Sequence, residues 1–332
     1  MDQHFNFLSI GAGLHDVFVR SSETRVIDDP ESENGQALCL PLGAKLEVDT
    51  LKVEVGGGGA NSAVAFARLG FKAAALCRVG KDLAGEQIKQ SLLHEGVITN
   101  HLVTDPAHPT GQSFILLAPN GQRTAMAYRG AAAHFVLEDI DEELVRHSEW
   151  VYLSSIGGNQ AVLTRIFALC HLHKVKVAWN PGSKELAHGQ RFLTPLLQQT
   201  DILLLNREEA ALLTDLPHHA THDILERLIS FISKGMVVVT NGSDGASAFD
   251  GDHIETLPGN EVLVVDTTGA GDAFGSGLVA AHAGGASIDH ALSFAIANAE
   301  SVIGQIGAEP GLLREGALDH QVKKTTMKHH KA

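Results

Sequence analysis

Seven short β-rich runs punctuate the chain, and several are apolar from end to end: FLSIG, AAALCRVG, WVYLSS, VKVAWN, DILLLN, MVVVTNG and EVLVVD. A strand that is apolar at every position offers no face to water, so it belongs inside a sheet covered on both sides. Between the runs lie helix-length stretches at 61–69, 83–95, 159–172, 221–233 and 272–283. This alternation predicts an α/β fold with a mainly parallel central sheet flanked by helices. In open sheets of that kind, ligands gather beyond the carboxyl ends of the strands.

Two regions break the alternation. Residues 14–55 hold VFVR, the acidic turn-rich DDPESENG, ALCLPL and AKLEVDTLKVEV, with no helix-length segment. Residues 110–130 hold SFILLA and RTAMAYR around PNGQ, and Asn120-Gly121 is a favoured tight-turn pair, so a hairpin is expected. Strands without helices between them cannot all join a parallel sheet by crossovers. They are expected to form a small separate sheet, a lid; the plainer alternative is extra edge strands on the main sheet. The 332 residues therefore read as one large domain, 1–332, carrying that appendage.

Composition removes several function classes. No apolar run approaches the roughly 20 residues of a membrane span, and MDQHFNFLSIGAG lacks the basic start and cleavage site of a secretory signal, so a cytoplasmic protein without a membrane partner is expected. Cys39, Cys77 and Cys170 form no CxxC pair. The net charge of −14 opposes nonspecific nucleic-acid binding. An anionic substrate then needs a local device. Histidine clusters such as HLH at 171–173 and HHATH at 218–222 lack an HExxH pattern and read as surface histidines, and the basic tail KKTTMKHHKA reads as a solvated end.

The stretch VVDTTGAGDAFGSG, residues 264–277, supplies such a device. EVLVVD is expected to be a strand and AFGSGLVAAHAGG a buried helix closed by Gly284 and Gly285, which makes TTGAG a strand-to-helix turn. Glycines let backbone N–H groups point into a concavity, and the helix adds its positive dipole end. Asp272, where the helix begins, could simply cap it. A cap does not need the glycine turn or the second acid at Asp266, and a carboxylate beside an anion-holding turn can take a proton from a hydroxyl attacking a phosphoryl group. Other phosphate motifs fail: VGKD has Asp82 after Lys81, and GAGLHD puts Asp16 where a dinucleotide fingerprint needs glycine.

A second cluster, VGGGGANSAVAFARLGFKAAALCRVG, runs from 55 to 80; its Asn61 could cap the following helix or offer its amide to a hydroxyl-rich molecule. With DTTGAGDAFGSGLV about 200 residues later, the chain resembles the ribokinase-like, or PfkB, family of carbohydrate and nucleoside kinases. LLLNREEA, VVTNGSDGA and GAEPG extend the likeness over most of the sequence.

The resemblance implies a Rossmann-like ribokinase fold with a β-sheet lid, and transfer of the ATP γ-phosphate to a hydroxymethyl group with Mg2+. On the matching motifs it assigns Asp272 as catalytic base and Gly269, Ala270 and Gly271 as the anion hole. Asp16, Gly57, Gly58 and Asn61 become substrate contacts. Asn206 and Glu209 look like an NxxE pair serving magnesium and phosphate through water, a placement their position at a strand end and one turn into a helix also permits. Thr240 and Gly242 fall on the nucleotide side, and Asn298 on the helix lining the adenine. Asp266, Thr268 and GAEPG resemble a monovalent-cation (K+) loop. Lid pairing between subunits implies a homodimer.

Departures are visible too. Ribokinases proper usually carry Lys where Gly58 stands, and WNPGS lacks the arginine that follows in fructokinase-like members. Arg129 in YRG reads as a solvated hairpin residue, or else as a lid arginine for an acidic or phosphorylated substrate. The expected activity is a kinase for a small sugar (ribose-, fructose- or ketodeoxygluconate-like), with a nucleoside kinase, or a sugar- or nucleotide-binding regulator on the same fold, as alternatives.

Overall fold

Along the apolar strands, neighbouring side chains enter opposite cores. Leu8, Val151, Leu153, Val177, Trp179, Leu203, Leu205, Val237 and Val239 pack on one face, and Phe7, Trp150, Tyr152, Ala178, Ile202, Leu204, Met236 and Val238 on the other. Both faces are dry because helices cover both. The computed structural model describes residues 4–32, 35–119 and 122–317. The turn Asn120-Gly121 and the basic tail lie outside the described residues.

The main sheet has eight strands. In spatial order these are Ile254–Leu257, Ala246–Phe249, Met236–Thr240, Ile202–Asn206, Lys176–Trp179, Ser148–Leu153, Phe5–Ile10 and Ala73–Leu76. Six are parallel, and the first two form an antiparallel edge. Helices Gln160–His173, Gln190–Leu197, Arg207–Thr214 and Thr221–Ile229 supply one cover, while Gly58–Arg68, Ala270–Ala283 and Ile288–Ile303 supply the other.

The two regions that broke the alternation make their own four-stranded sheet, ordered Arg123–Tyr128, Gly111–Leu117, Leu14–Arg20 and Thr50–Gly56. They are not edge strands of the main sheet. The first pair is antiparallel, so the hairpin reading holds, whereas Leu14–Arg20 and Gly111–Leu117 run parallel. Arg25–Asp28 and Gln36–Cys39 form a separate ribbon. No helix among the described residues is long and apolar enough to cross a membrane.

One expected strand is absent. EVLVVD is irregular, and Val262, Leu263 and Val264 are exposed. The antiparallel strands Ala246–Phe249 and Ile254–Leu257 already occupy that edge of the sheet, so the run meets no neighbour there. It lies instead against the end of the last long helix, where Val265 and Asp266 donate their amides to the Ile303 carbonyl at 2.8 and 3.2 Å. Hydrophobicity gave the run strand character; the topology left it unpaired.

Candidate active site

The site assembles where three segments meet: the glycine run 56–59, the turn before helix Ala270–Ala283, and the inner face of the small sheet. Gly269 caps that helix at φ 78°, a left-handed conformation that favours glycine, and a Cβ there would lie 2.3 Å from the Ala308 Cβ. The helix has no side-chain cap. The Ala270 amide makes one long bond to the Thr267 carbonyl at 3.3 Å, and the amides of Gly271 and Asp272 meet no acceptor among the described residues. No neighbour outside the helix lies within 4 Å of where a Gly271 Cβ would stand, so the turn is open on that side. Such an end is prepared for an anion.

Asp272 sits in the first turn of this helix without capping it; its Oδ2 accepts from the Asn61 amide at 2.7 Å. Asn61 likewise does not cap its helix, which begins earlier than expected, at Gly58, with Gly57 as N-cap. The pair fixes the carboxylate's direction and leaves Oδ1 facing Gly58, whose added Cβ would lie 3.1 Å away. Burial raises the Asp272 carboxyl's pKa, and the Asn61 hydrogen bond opposes the rise. A more basic carboxylate is a better proton acceptor.

Asp16 faces the same space from Leu14–Arg20 and is 5% exposed. Its carboxylate lies so close over Gly56 that a Cβ there would sit 1.9 Å from Oδ2, while Oδ1 has no partner. Burial pushes this carboxyl from 3.8 up to about 6; Asp272 and Asp266 add to the rise, and the Ser113 hydroxyl and Arg123 oppose it. A buried, unpartnered acceptor beside a second carboxylate is suited to a hydroxyl donor. Gly57 turns the chain at φ 92°, and an added Cβ would meet the Ala12 carbonyl at 2.5 Å. At Gly58 an added Cβ would come within 2.8 Å of the Ser154 Cβ and Oγ. Ser154, which sequence reasoning did not single out, thus closes the position where ribokinases usually have lysine.

On the other side of the strand ends, Asn206 and Thr240 are register partners in adjacent strands. Asn206 and Glu209 form a reciprocal capping box: the Glu209 amide donates to Asn206 Oδ1 at 2.8 Å, and the Asn206 amide donates to Glu209 Oε2 at 3.0 Å. Glu209 Oε1 keeps no hydrogen-bond partner among the described residues, and burial raises this carboxyl's pKa. Its chemistry therefore suits a hydrated divalent cation. Gly242 begins an exposed turn at φ 55°.

Asn298 does not join this group. It is 1% exposed, its Nδ2 donates to the Ala273 carbonyl at 2.7 Å, and its Oδ1 accepts from the Leu313 amide at 2.9 Å. It clamps the helix of the anion turn to the backbone at Leu313 rather than offering groups to a nucleotide.

Asp266 and Thr268 do meet. Asp266 Oδ1 accepts from the Thr268 amide at 3.0 Å and hydroxyl at 2.7 Å, and Oδ2 from the Gly307 amide at 3.0 Å. The GAEPG segment is thereby tied to the anion turn. Arg123, which the sequence did not flag, adds a further bond to Oδ1 at 2.8 Å. Arg129 is exposed. Glu185 was also missed: this fully buried carboxylate accepts from Ser155 and from the amides of Ile156, Gly158 and Gly182, holding the loop beyond Ser154. Nothing in the SKEL segment marks it as special. His222 pairs with Glu226 at 3.3 Å, and no group of three or more metal-ligating side chains is present among the described residues.

A helix end with free amides, an oriented carboxylate and a second acceptor for hydroxyls together make a centre suited to transferring an anionic group to an alcohol. The sequence model for pfkB family carbohydrate kinases matches residues 33–314, and the chain belongs to that family. It is a sugar or nucleoside kinase, a phosphotransferase with an alcohol acceptor. A ribokinase of Haemophilus influenzae is 29% identical over 282 residues, covering 81% of this chain and 88% of its own length. A fructokinase of Escherichia coli is 31% identical over 238 residues, covering 68% of this chain and 75% of its own. Among solved structures, the Arabidopsis thaliana ribokinase complexed with ribose and ATP superposes with a TM-score of 0.76 at 24% identity, over 97% of this chain and 99% of that one. That likeness shows the fold.

Proposed function

We propose that the chain transfers the γ-phosphoryl group of ATP, as its magnesium complex, to a hydroxymethyl group of a small sugar of the ribose, fructose or ketodeoxygluconate kind. The observation that carries this reading is Asp272, oriented by Asn61 at 2.7 Å beside the open amides of the Gly269–Ala270–Gly271 turn. The sugar lies over Gly57 and Gly58, with its hydroxyls donating to Asp16 Oδ1 and accepting from Asn61. The reacting hydroxyl gives its proton to Asp272 as its oxygen bonds to phosphorus and the bond to the ADP oxygen breaks. The turn amides hold the charge on the transferring oxygens.

The Arabidopsis ribokinase structure holds ribose and ATP, and a putative ribokinase II structure from Escherichia coli with the same fold is a complex with ATP and Mg2+. Here Asn206 and Glu209 would hold magnesium through water, which would neutralise phosphate charge, and Thr240 and Gly242 would face the nucleotide. The small sheet acts as a lid that excludes water on closure. Its outer face exposes Leu51, Val53, Phe114, Met126 and Tyr128. A contiguous apolar face of this kind supports pairing of two lids in a homodimer.

Magnesium-dependent ADP release over a panel of sugars and nucleosides tests the reading. A sugar acceptor is expected to give the highest kcat/KM. Binding without ADP release would identify a regulator, and preference for a nucleoside would replace the sugar assignment.

A further inference from the structure

Asp266 is 2% exposed, and a carboxylate taken that far out of water needs compensating charge as well as hydrogen bonds. The resemblance suggests a monovalent ion. The donors present do not fit one at Oδ1, because that oxygen already accepts three bonds, from the Thr268 amide, the Thr268 hydroxyl and Arg123 Nη1. A carboxylate oxygen has about two lone-pair sites, so Oδ1 is oversubscribed. An alkali ion there would also face three hydrogen-bond donors and a guanidinium charge.

The guanidinium comes from the small sheet. Its strand register puts Arg123 on the same inner face as Leu117, Ile115, Ser113, Phe18 and Asp16. On that face Phe18, Ile115 and Leu117 form a small core against Ile306, and Lys52 Nζ donates to the Ile306 carbonyl at 2.7 Å. The next residue, Gly307, donates its amide to Asp266 Oδ2. The sheet is thus docked at Ile306 and Gly307, and its arginine reaches the anion turn through Asp266.

We propose that Arg123 is a positioning residue that replaces a monovalent ion at Asp266, so that the anion turn is fully ordered only while the small sheet is seated. This rests on the kinase reading for its catalytic consequence, but the structural coupling stands apart from turnover. With the sheet withdrawn, Asp266 keeps Thr268 and Gly307 but loses its cation. Docking of the lid and preparation of the phosphate site then become one event.

Two arms test it. The first uses the unaltered chain: activity and thermal midpoint are compared with potassium and with tetramethylammonium as the sole monovalent cation. Agreement of rates within about twofold is expected, since no ion-binding linkage contributes. A saturable activation of about tenfold or more by potassium, or a midpoint that rises with potassium alone, overturns the proposal. The second compares Arg123→Met and Arg123→Lys. The methionine variant should lose on the order of tenfold or more in kcat, as outer contacts that orient a site do, with acceptor KM little changed. The amides of Thr268 and Gly307 should exchange hydrogen faster, and the lysine variant or added methylguanidinium should recover part of both effects. Unchanged kcat and exchange in the methionine variant refute it. If that variant does not fold, the lysine variant and the potassium arm decide. Exchange and melting need no turnover, so a chain inert toward every acceptor would defeat the kinase reading while leaving these results to judge Arg123.

Discussion

Replacing Asp16 by Asn should make the protein more stable and a worse enzyme, with the stability gain present only above the titration of the native carboxyl. Asp16 is 5% exposed, one oxygen lacks a partner, and two further carboxylates act on it. Folding therefore raises its pKa from 3.8 to about 6. For a carboxyl raised on folding, the native state holds the proton more tightly than the unfolded chain does. Its favourable contribution is complete below 3.8 and is lost as pH rises through about 6. The difference corresponds to about 3 kcal/mol at neutral pH, an upper figure because Asp272 titrates nearby and shares the charge.

Asn is nearly isosteric and carries no charge to desolvate, so Asp16→Asn should gain about 1–3 kcal/mol at pH 7.5, or several degrees in Tm, and almost nothing at pH 4. Denaturant or thermal unfolding of both proteins across that range measures it. Glu309, pushed up to about 8 by burial, gives the parent a slope of the same sign, and the difference between the two proteins cancels it. The acceptor KM should meanwhile rise about 10- to 100-fold, the value of a hydrogen bond to a charged group. A variant that is less stable at pH 7.5, or stabilised equally at both extremes, refutes the claim that Asp16 is held at an energetic cost for the substrate.

Three other outcomes follow from the geometry. Asp272→Asn should lower kcat by about 10²- to 10⁴-fold with nucleotide affinity nearly unchanged; steady-state kinetics with calorimetric titration of nucleotide checks it, and an undiminished rate removes the residue as base. Gly58→Ala should cost about 1–3 kcal/mol and reduce turnover, because the new methyl carbon meets Ser154 at 2.8 Å and Asp272 at 3.1 Å. Ser154→Gly in the same chain should recover most of both losses, measured by melting and kcat. Phe114→Glu combined with Met126→Glu should convert the proposed dimer to a monomer in sedimentation, since both side chains lie on the exposed face of the small sheet, and a wild-type monomer would refute the pairing.

Much of this was legible before the fold was known. The apolar runs gave six main-sheet strands, and the glycine turn, Asp272 and Asn61, read from the sequence as a group, do meet in space, because backbone conformation and local periodicity are written in consecutive residues. EVLVVD failed for a topological reason: a run of valines states that it can extend, not that a neighbour awaits it. Arg123 failed for a related one. A hairpin arginine is ordinary in sequence, and only the register across three strands turns it inward with Asp16. Asn298 shows the reverse error, since its motif position suggested a ligand while both ends of its amide are spent on backbone.

What separates the three aspartates is how far the protein itself satisfies them. Asp266 accepts four bonds, three of them at Oδ1, so its work is to hold the turn. Asp272 accepts one, from Asn61, and keeps Oδ1 toward Gly58. Asp16 keeps a buried oxygen with no partner at all. Unmet acceptors inside a fold persist only where something absent from the bare chain completes them. In an acidic protein that something must bring donors or positive charge. In the proposed reaction sugar hydroxyls would meet the demand of Asp16 and a hydroxyl losing its proton that of Asp272, while the lid arginine already bonds Asp266. On this argument the order in which the carboxylates are satisfied, Asp266 on docking of the small sheet and the other two on arrival of the acceptor, is also the order in which the site becomes competent.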